Sequence, residues 1–346
     1  MMKRNLKNIL NILFLAVVFA LTIWSVFRGE DFSQVLDYLE TADFTYVLPG
    51  ILCVLCFILG ESVIIFYLMR TLGTRVRLSH CCLYSFIGFF YCCITPSASG
   101  GQPMQIVYMR KDGLPVAVST VVLAIITIVY KLVLVLMGAA VLLLRPDSLM
   151  VYLDPVEPLL YLGLGLNVVC IAALLLLVFQ AELVRVMADW VLALVNKIRP
   201  FRNLQKQKDR LERILSQYQG TAEYYRSHKH VIVHVFLITL VQRLALFMVT
   251  WFTYRAFHLS GHSMPVVVSL QAMISVAADM LPLPGGMGVS ENLFLDIFYR
   301  IFGEDLVLPG MMISRGISYY TQLLISAVMT VVACFLIREK KEKEVA

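Results

Sequence analysis

The sequence predicts an all-α integral membrane protein with six full spans and two re-entrant helical hairpins in an inverted-topology repeat. Three observations lead there. Of 346 residues, 60% are hydrophobic and only 15% charged, with a mean hydropathy of +0.80, which excludes a soluble globular protein. The apolar residues gather into runs long enough to cross a hydrocarbon layer of about 30 Å, which takes about 20 helical residues. Two of those runs are interrupted by proline-flanked Gly-Gly tips, Thr95-Pro96-Ser97-Ala98-Ser99-Gly100-Gly101-Gln102-Pro103 and Leu281-Pro282-Leu283-Pro284-Gly285-Gly286-Met287-Gly288. Helix-breaking backbone at membrane depth is tolerated only where protein buries it or where it lines a polar cavity. A pair of such breaks in matching positions of two halves points to a transport site.

Full spans are expected at residues 9–27, 44–69, 116–144, 159–179, 231–257 and 310–337. Loop charge sets their direction, because Lys and Arg concentrate on the cytoplasmic side. Lys3, Arg4 and Lys7 put the amino terminus inside, and no small-residue cleavage site follows the first run, so it reads as a retained span. The acid-rich loop 29–43 is outside, and Arg70, Arg75 and Arg77 are inside. The apolar run 78–94 then meets the first tip, and the chain continues to Arg110-Lys111-Asp112-Gly113. A full crossing would strand Arg110 and Lys111 outside, whereas a re-entrant hairpin returns them to the cytoplasm. The span 116–144 leads out to Asp147, Asp154 and Glu157, and 159–179 leads back to the basic connector 181–230. After 231–257, the second break at 264–302 is flanked by His258, His262, Glu304 and Asp305 and reads as a hairpin entering from outside. The last span returns to Arg338-Glu339-Lys340-Lys341, so both termini are expected in the cytoplasm, with the protein in the cell membrane.

The single membrane domain then divides into a first repeat at 44–144 and an inverted second repeat at 231–337, joined through the connector. Spacing agrees with this division. Glu61 lies 39 residues before Gly100 and Arg243 lies 42 before Gly285, while Lys131 lies 31 after Gly100 and Arg315 lies 30 after Gly285. Glu61, Lys131, Arg243, Asp279, Glu291 and Arg315 all fall in membrane segments, where each costs roughly 2.5–3.5 kcal/mol at a helix centre and should face the bundle interior or water. Three acids against three bases suggests pairing. Two readings follow: ion pairs that fix helix packing, or a polar path for a charged headgroup. In the second, Gly100, Gly101, Gln102, Gly285 and Gly286 at the tips add backbone N–H groups and helix amino termini that favour phosphate. In the first, the glycines serve close packing or simple turns.

Other features carry less. The eight cysteines sit in apolar segments and read as small buried hydrophobes, with no disulfide framework or zinc spacing. His228, His230 and His234 read as interfacial. No nucleophile–base constellation, HExxH motif, nucleotide fingerprint or ATP-binding motif is present, so no catalytic residue, metal or cofactor is expected. The formal charge of +6 needs no nucleic-acid partner. Leu183, Val184, Val186, Met187, Trp190, Val191, Leu194 and Ile198 recur at helical spacing, which predicts an amphipathic helix along the cytoplasmic face. The basic run 197–213 behind it is either a solvated helix or an attractor of anionic headgroups.

At Pro96–Pro103, at Arg110-Lys111-Asp112-Gly113, and at Pro282-Leu283-Pro284-Gly285-Gly286-Met287-Gly288-Val289-Ser290-Glu291, the chain resembles the lysylphosphatidylglycerol synthase transmembrane-region family, which includes the membrane part of the multiple peptide resistance factor. The second break carries the more specific match. One position departs: relatives commonly carry Glu-Arg where this chain has Tyr130-Lys131. The resemblance implies translocation of aminoacylated phosphatidylglycerol between leaflets, with resistance to cationic peptides as the consequence. Full-length relatives add a soluble domain that transfers lysine from aminoacyl-tRNA, and this sequence is expected to lack it. Three functions stay open: a flippase-like lipid translocase, a phosphatidylglycerol lysyltransferase or its membrane subunit, and a membrane partner that recruits a separate synthase. The expected partners are an anionic or aminoacylated phospholipid, a separate synthase protein, and further copies of the chain.

Overall fold

The computed structural model describes residues 43–96, 98–198, 204–281, 283 and 286–337. The expected first span at 9–27, the tip residues Ser97, Pro282, Pro284 and Gly285, and the basic end at 338–341 lie outside the described residues. The described chain is helical throughout: α1 (Phe44–Thr71), α2 (Leu78–Ile94), α3 (Gly101–Lys111), α4 (Val116–Leu144), α5 (Asp147–Leu153), a 3-10 turn (Asp154–Val156), α6 (Glu157–Phe179), α7 (Ala181–Ile198), α8 (Leu204–Ser227), α9 (Lys229–Ala256), α10 (Met264–Ala278), α11 (Val289–Phe302), α12 (Glu304–Arg315), a π-helical turn (Gly316–Tyr320) and α13 (Thr321–Leu336).

Five stretches are long and apolar enough to cross a membrane: Phe44–Thr71, Val116–Leu144, Asp147–Phe179, Lys229–Ala256 and Glu304–Leu336. Two of them start earlier than sequence reading placed them. Asp147–Phe179 passes through Pro155 and Pro158, which sit in the first turns of their helices where the missing N–H costs little. Glu304–Leu336 passes Pro309, and its hydrogen-bond ladder yields at the π-helical turn just after Arg315. The apolar helices that lead into the two tips are shorter, with 17 residues in α2 and 15 in α10. At 1.5 Å per residue these reach about 25 and 22 Å. Asp43 caps α1 by accepting from the Thr45 amide at 2.9 Å. Hydrogen bonds from the Thr45 side chain and backbone hold this carboxyl below its ordinary value.

Helices in lipid associate through close packing and polar contacts, because lipid tails are as apolar as the helices themselves. α1 runs along α9, where Gly60 leaves room for the Gln242 side chain and Gln242 Nε2 donates to the Phe57 carbonyl at 2.7 Å. α2 packs against α1 and α13, and α10 packs against α9, α6 and α4. The α6–α10 crossing is the tightest of these. A Cβ on Gly163 would lie 2.5 Å from the Val276 carbonyl oxygen and 2.6 Å from the Ala277 Cα, so backbone would have to move. Gly163→Val is therefore expected to part the two helices and cost about 1–3 kcal/mol. A lower melting temperature in detergent checks this, and an unchanged one would show that the crossing is not made.

Outside the bundle, α6 turns Leu162, Val168, Val169 and Leu176 outward. α7 exposes Leu183, Val186, Met187 and Trp190, and Arg185 on its polar side meets Glu212 of α8 at 3.3 Å. α8 is tied down by Tyr218, which donates to the Leu177 carbonyl, and by Tyr225, which donates to the Leu68 carbonyl. The cysteines divide: Cys81 and Cys93 are buried as expected of small hydrophobes, but Cys56 is exposed on the outer face of α1.

Candidate functional site

The two broken segments converge on a cavity of ≈ 210 Å³. Ala98 reaches it from the first tip and Leu283 and Gly286 from the second. α9 contributes Arg243, the end of α10 contributes Asp279, and the α12–π-turn junction contributes Arg315. Hydroxyl and amide side chains fill much of the remaining wall, among them Gln271, Ser275, Ser290, Ser318 and Gln322.

Local sequence explains why these groups point inward. α10 stops at Asp279 because Leu281 and the prolines beyond it cannot continue the helix. Asp279 therefore sits at a helix carboxyl end, where the backbone dipole opposes a negative charge. Two cations compensate it. Lys131 Nζ lies 2.6 Å from Oδ2, and Arg243 Nη2 lies 3.8 Å from Oδ1. Lys131 Nζ also reaches Asn167 Oδ1 at 3.3 Å and Met280 Sδ at 2.8 Å. The lysine thus locks α4, α6 and the second tip together. Asn167 completes the lock by donating to the Gly163 and Val276 carbonyls. On the far side of the second tip, Gly286 and Gly288 adopt φ of +67° and +83°, which a side chain would strain. That turn launches α11 with Glu291 in its first turn, where Arg315 Nε donates to Glu291 Oε1 at 2.7 Å.

Arg243 is the least satisfied of the cations. It is only 2% exposed, and its Nε and Nη2 have no hydrogen-bond partner. Its guanidinium sits over the Tyr130 ring, with Cζ 3.3 Å from the ring centroid. Tyr130 in turn donates to Asp279 Oδ1 at 3.4 Å.

The lysylphosphatidylglycerol synthase TM region family matches residues 8–326. The chain belongs to that family. With its apolar helices, membership makes it a multi-pass membrane protein. A search of curated proteins finds no significant match.

Where family members carry an acid before the cation, Tyr130 here offers a ring face to Arg243, and Lys131 takes its counter-charge from Asp279 in the other half of the chain. Of the six ionisable residues singled out in the sequence, five thus come together around the cavity, through Lys131–Asp279–Arg243 and Arg315–Glu291. The sixth does not join a pair. Glu61 lies between α1 and α3, and its partner is the Gln105 amide at 2.6 Å rather than a cation. The even pairing of three acids with three bases is corrected accordingly: one acid serves two cations and another serves none among the described residues.

The tip amides also differ from expectation. The Gly100 N–H donates to Thr95 Oγ1, the Gly101 N–H to the Ala98 carbonyl, and the Gly286 N–H to the Leu283 carbonyl. Short turns satisfy their own donors, so these amides are spent on closing the tips, and the positive charge at the cavity comes from side chains. Gly101 also packs on the Gly88 carbonyl and Cys92, where a Cβ would collide. Gln102 reaches out of the tip to Thr127 on α4 at 3.2 Å. Asn167, Gln105, Gln271 and Gln322 were missed by sequence reading. Asn167 and Gln271 stand inside apolar runs, where polarity was the signal that could have found them, while Gln105 and Gln322 have polar neighbours in sequence and carry no such signal. Among the described residues, no group of three or more His, Cys, Asp or Glu is placed to hold a metal ion.

Proposed function

We propose that the protein is a flippase-like translocase that passes the headgroup of a phospholipid through the cavity between its two broken segments. The observation that carries this reading is the cavity itself. It lies where two interrupted helical segments meet, and it is lined by Arg243, Arg315 and Asp279. Broken helices meeting at a polar site between repeats are the usual construction of transporters. In this reading α2–α3 and α10–α11 are re-entrant hairpins that enter from opposite sides, and the halves 44–144 and 231–337 form an inverted repeat. Their packing supports it. In each half the first long helix packs on the first arm of its own hairpin, and that arm also packs on the last long helix of the other half. Both termini then face the cytoplasm and the protein sits in the cell membrane. The substrate is an anionic or aminoacylated phospholipid, and a separate synthase or a second copy of the chain is a partner.

A second reading is favoured by the family description, which names a synthase: the chain is the membrane part of an aminoacyl-phospholipid-synthesising enzyme. Lysine transfer requires a pocket for the charged acceptor end and a base beside the lipid hydroxyl. The connector offers a cleft between α7 and α8 lined by Arg185, Asp189, Lys208 and Glu212 together with Leu192, Ala193, Leu211 and Leu215, and the Glu212 carboxylate there is paired with Arg185 at 3.3 Å.

Reconstitution separates the two. The 346-residue chain in vesicles is expected to speed movement of labelled phospholipid between leaflets above protein-free vesicles, and to make no lysyl-lipid from phosphatidylglycerol and charged tRNA. Lysyl-lipid synthesis without leaflet transfer would overturn the translocase reading. Topology gives an independent check. Cysteines introduced at Gly113 and Gln207 should label from the cytoplasm, and at Asp154 and Gly303 from outside. Outside labelling at Gly113 would make the first break a full crossing and sink the hairpin arrangement.

A further inference from the structure

We infer that Glu61 is a proton site linked to the cavity: it takes up a proton as a headgroup phosphate enters and releases it as the phosphate leaves, so that lipid and proton cross in the same direction. The coupling to transfer rests on the translocase reading; the proton site rests on three observations. The first is where Glu61 stands. Val54, Phe57, Ile58, Ile65 and Leu68 share its face of α1, and all are buried. Leu52, Leu59 and Val63 on the opposite face are exposed. At the centre of the inward stripe, Glu61 still keeps partial exposure. That exposure belongs to a space inside the bundle, where a carboxyl can meet water without meeting lipid. Acids so placed in membrane segments are common carriers of protons.

The second observation is its partner. Gln105 Nε2 donates to Glu61 Oε1 at 2.6 Å and to the Tyr84 carbonyl at 3.2 Å. Gly88 on α2 makes room for that amide, and a side chain there would collide with it. The amide bond to a carboxylate is charge-assisted, but it brings no opposite charge, whereas Asp279 and Glu291 each pair with a cation. Protonating Glu61 weakens the bond. Because Gln105 lies on α3, the returning arm of the first hairpin, the charge on Glu61 sets how firmly that arm is held to α1. The third observation is the link to the cavity. Cys92 of α2 lines the cavity and lies within the fields of both Glu61 and Asp279. Its Sγ also reaches the Ala98 carbonyl of the first tip at 3.4 Å. The other polar groups that α1 meets are engaged elsewhere: Lys131 of α4 and Arg243 of α9 with Asp279, Arg315 with Glu291, Tyr84 of α2 with Asp112, and Gln242 of α9 with the Phe57 carbonyl. A phosphate drawn to Arg243 and Arg315 brings negative charge toward Glu61, and a like charge favours proton uptake. The proton comes from water on one face and returns to water on the other, and the bond made and broken is O–H.

Proton uptake on binding tests the site without a bilayer. The purified full chain is placed in weakly buffered detergent near neutral pH with a pH-sensitive dye. Dihexanoyl phosphatidylglycerol and its lysyl ester share the phosphate, and each is expected to drive uptake of up to about one proton per lipid bound. Dihexanoylglycerol, which lacks the phosphate, should drive none. Glu61→Gln should abolish the uptake, and Glu61→Asp should keep it with an altered pH profile. No uptake by the unaltered chain overturns the inference, as does equal uptake with dihexanoylglycerol or full uptake by Glu61→Gln. If Glu61→Gln fails to fold, an unchanged pH profile in Glu61→Asp overturns the assignment to Glu61. Vesicles with a clamped membrane potential then test the coupling. Transfer of labelled phospholipid toward the alkaline side should outrun transfer toward the acid side by about fivefold or more. Transfer indifferent to the gradient, or faster toward the acid side, overturns the coupling and leaves the translocase reading in place. Lipid-driven proton uptake without leaflet transfer would remove the translocase reading and keep Glu61 as a proton site linked to headgroup binding.

Discussion

Asp279→Ala is expected to be the most destabilising single change in the bundle. The carboxylate is the shared counter-charge of Lys131, 2.6 Å away, and Arg243, 3.8 Å away. Both cations are buried, at 8% and 2% exposure. Removing the acid leaves two positive charges facing each other in a place with little water. Breaking a buried pair by deleting one partner costs about 3–5 kcal/mol, because the remaining charge stays desolvated. Here two charges remain. Asp279→Asn should cost less, since the amide oxygen still accepts from Lys131. The double variant Asp279→Ala with Lys131→Met should recover part of the loss, because it removes one of the stranded cations; residues in one network are not additive. Melting in detergent, followed by size-exclusion profile, reads all three. If Asp279→Ala melts like the unaltered protein, the cations reach water and the ion pairs add nothing to the fold.

Much of the architecture was legible from the sequence because membrane physics leaves few options. A run such as 116–144 has one structural outcome at its hydropathy, and Val116–Leu144 is a single helix. The tips were legible too, since prolines and paired glycines stop α2 and α10 short of a full crossing length. Ionisable side chains stand out against such a background, which is why Lys131, Arg243, Asp279, Glu291 and Arg315 could be singled out. Their partners could not. Lys131 meets Asp279 across 148 residues of chain, and nothing local distinguishes that acid from Glu61 or Glu291. The similar spacing of Glu61 and Arg243 from their tips suggested matching roles, yet Glu61 ends on an amide and Arg243 on an aromatic face. Side-chain roles follow from packing between halves, and a repeat in backbone direction does not force a repeat in chemistry. The π-helical turn after Arg315 was equally invisible. It adds a residue to one turn and changes which side chains face inward, so that Arg315, Ser318 and Tyr319 all reach the cavity.

Arg315→Ala is expected to abolish leaflet transfer while leaving insertion and folding largely intact. The contrast with Asp279 follows from surroundings. Loss of Arg315 strands one acid, Glu291, whose side chain is 20% exposed, whereas loss of Asp279 strands two cations whose side chains are 10% and 3% exposed. A single stranded acid costs the fold less than two stranded cations. The loss to transport is larger. Arg315 stands on the cavity wall at the edge of a π-helical turn, with its guanidinium 4.9 Å from the Tyr319 ring centroid. A passing phosphate held by Arg243 needs a second cation to hand over to, and Arg315 is the other arginine lining the cavity. Losing one partner of a buried charge contact costs roughly 2–5 kcal/mol, which is about 30-fold or more in rate. Arg315→Lys should restore part of it, since a point charge replaces a fork. Reconstituted leaflet transfer, measured beside the size-exclusion profile of each variant, gives the answer. Full transport by Arg315→Ala would remove the arginine from the lipid path. An aggregated Arg315→Ala beside a well-folded but inactive Arg315→Lys would mean that the geometry of the Arg315–Glu291 pair, rather than a phosphate contact, is what the cavity requires.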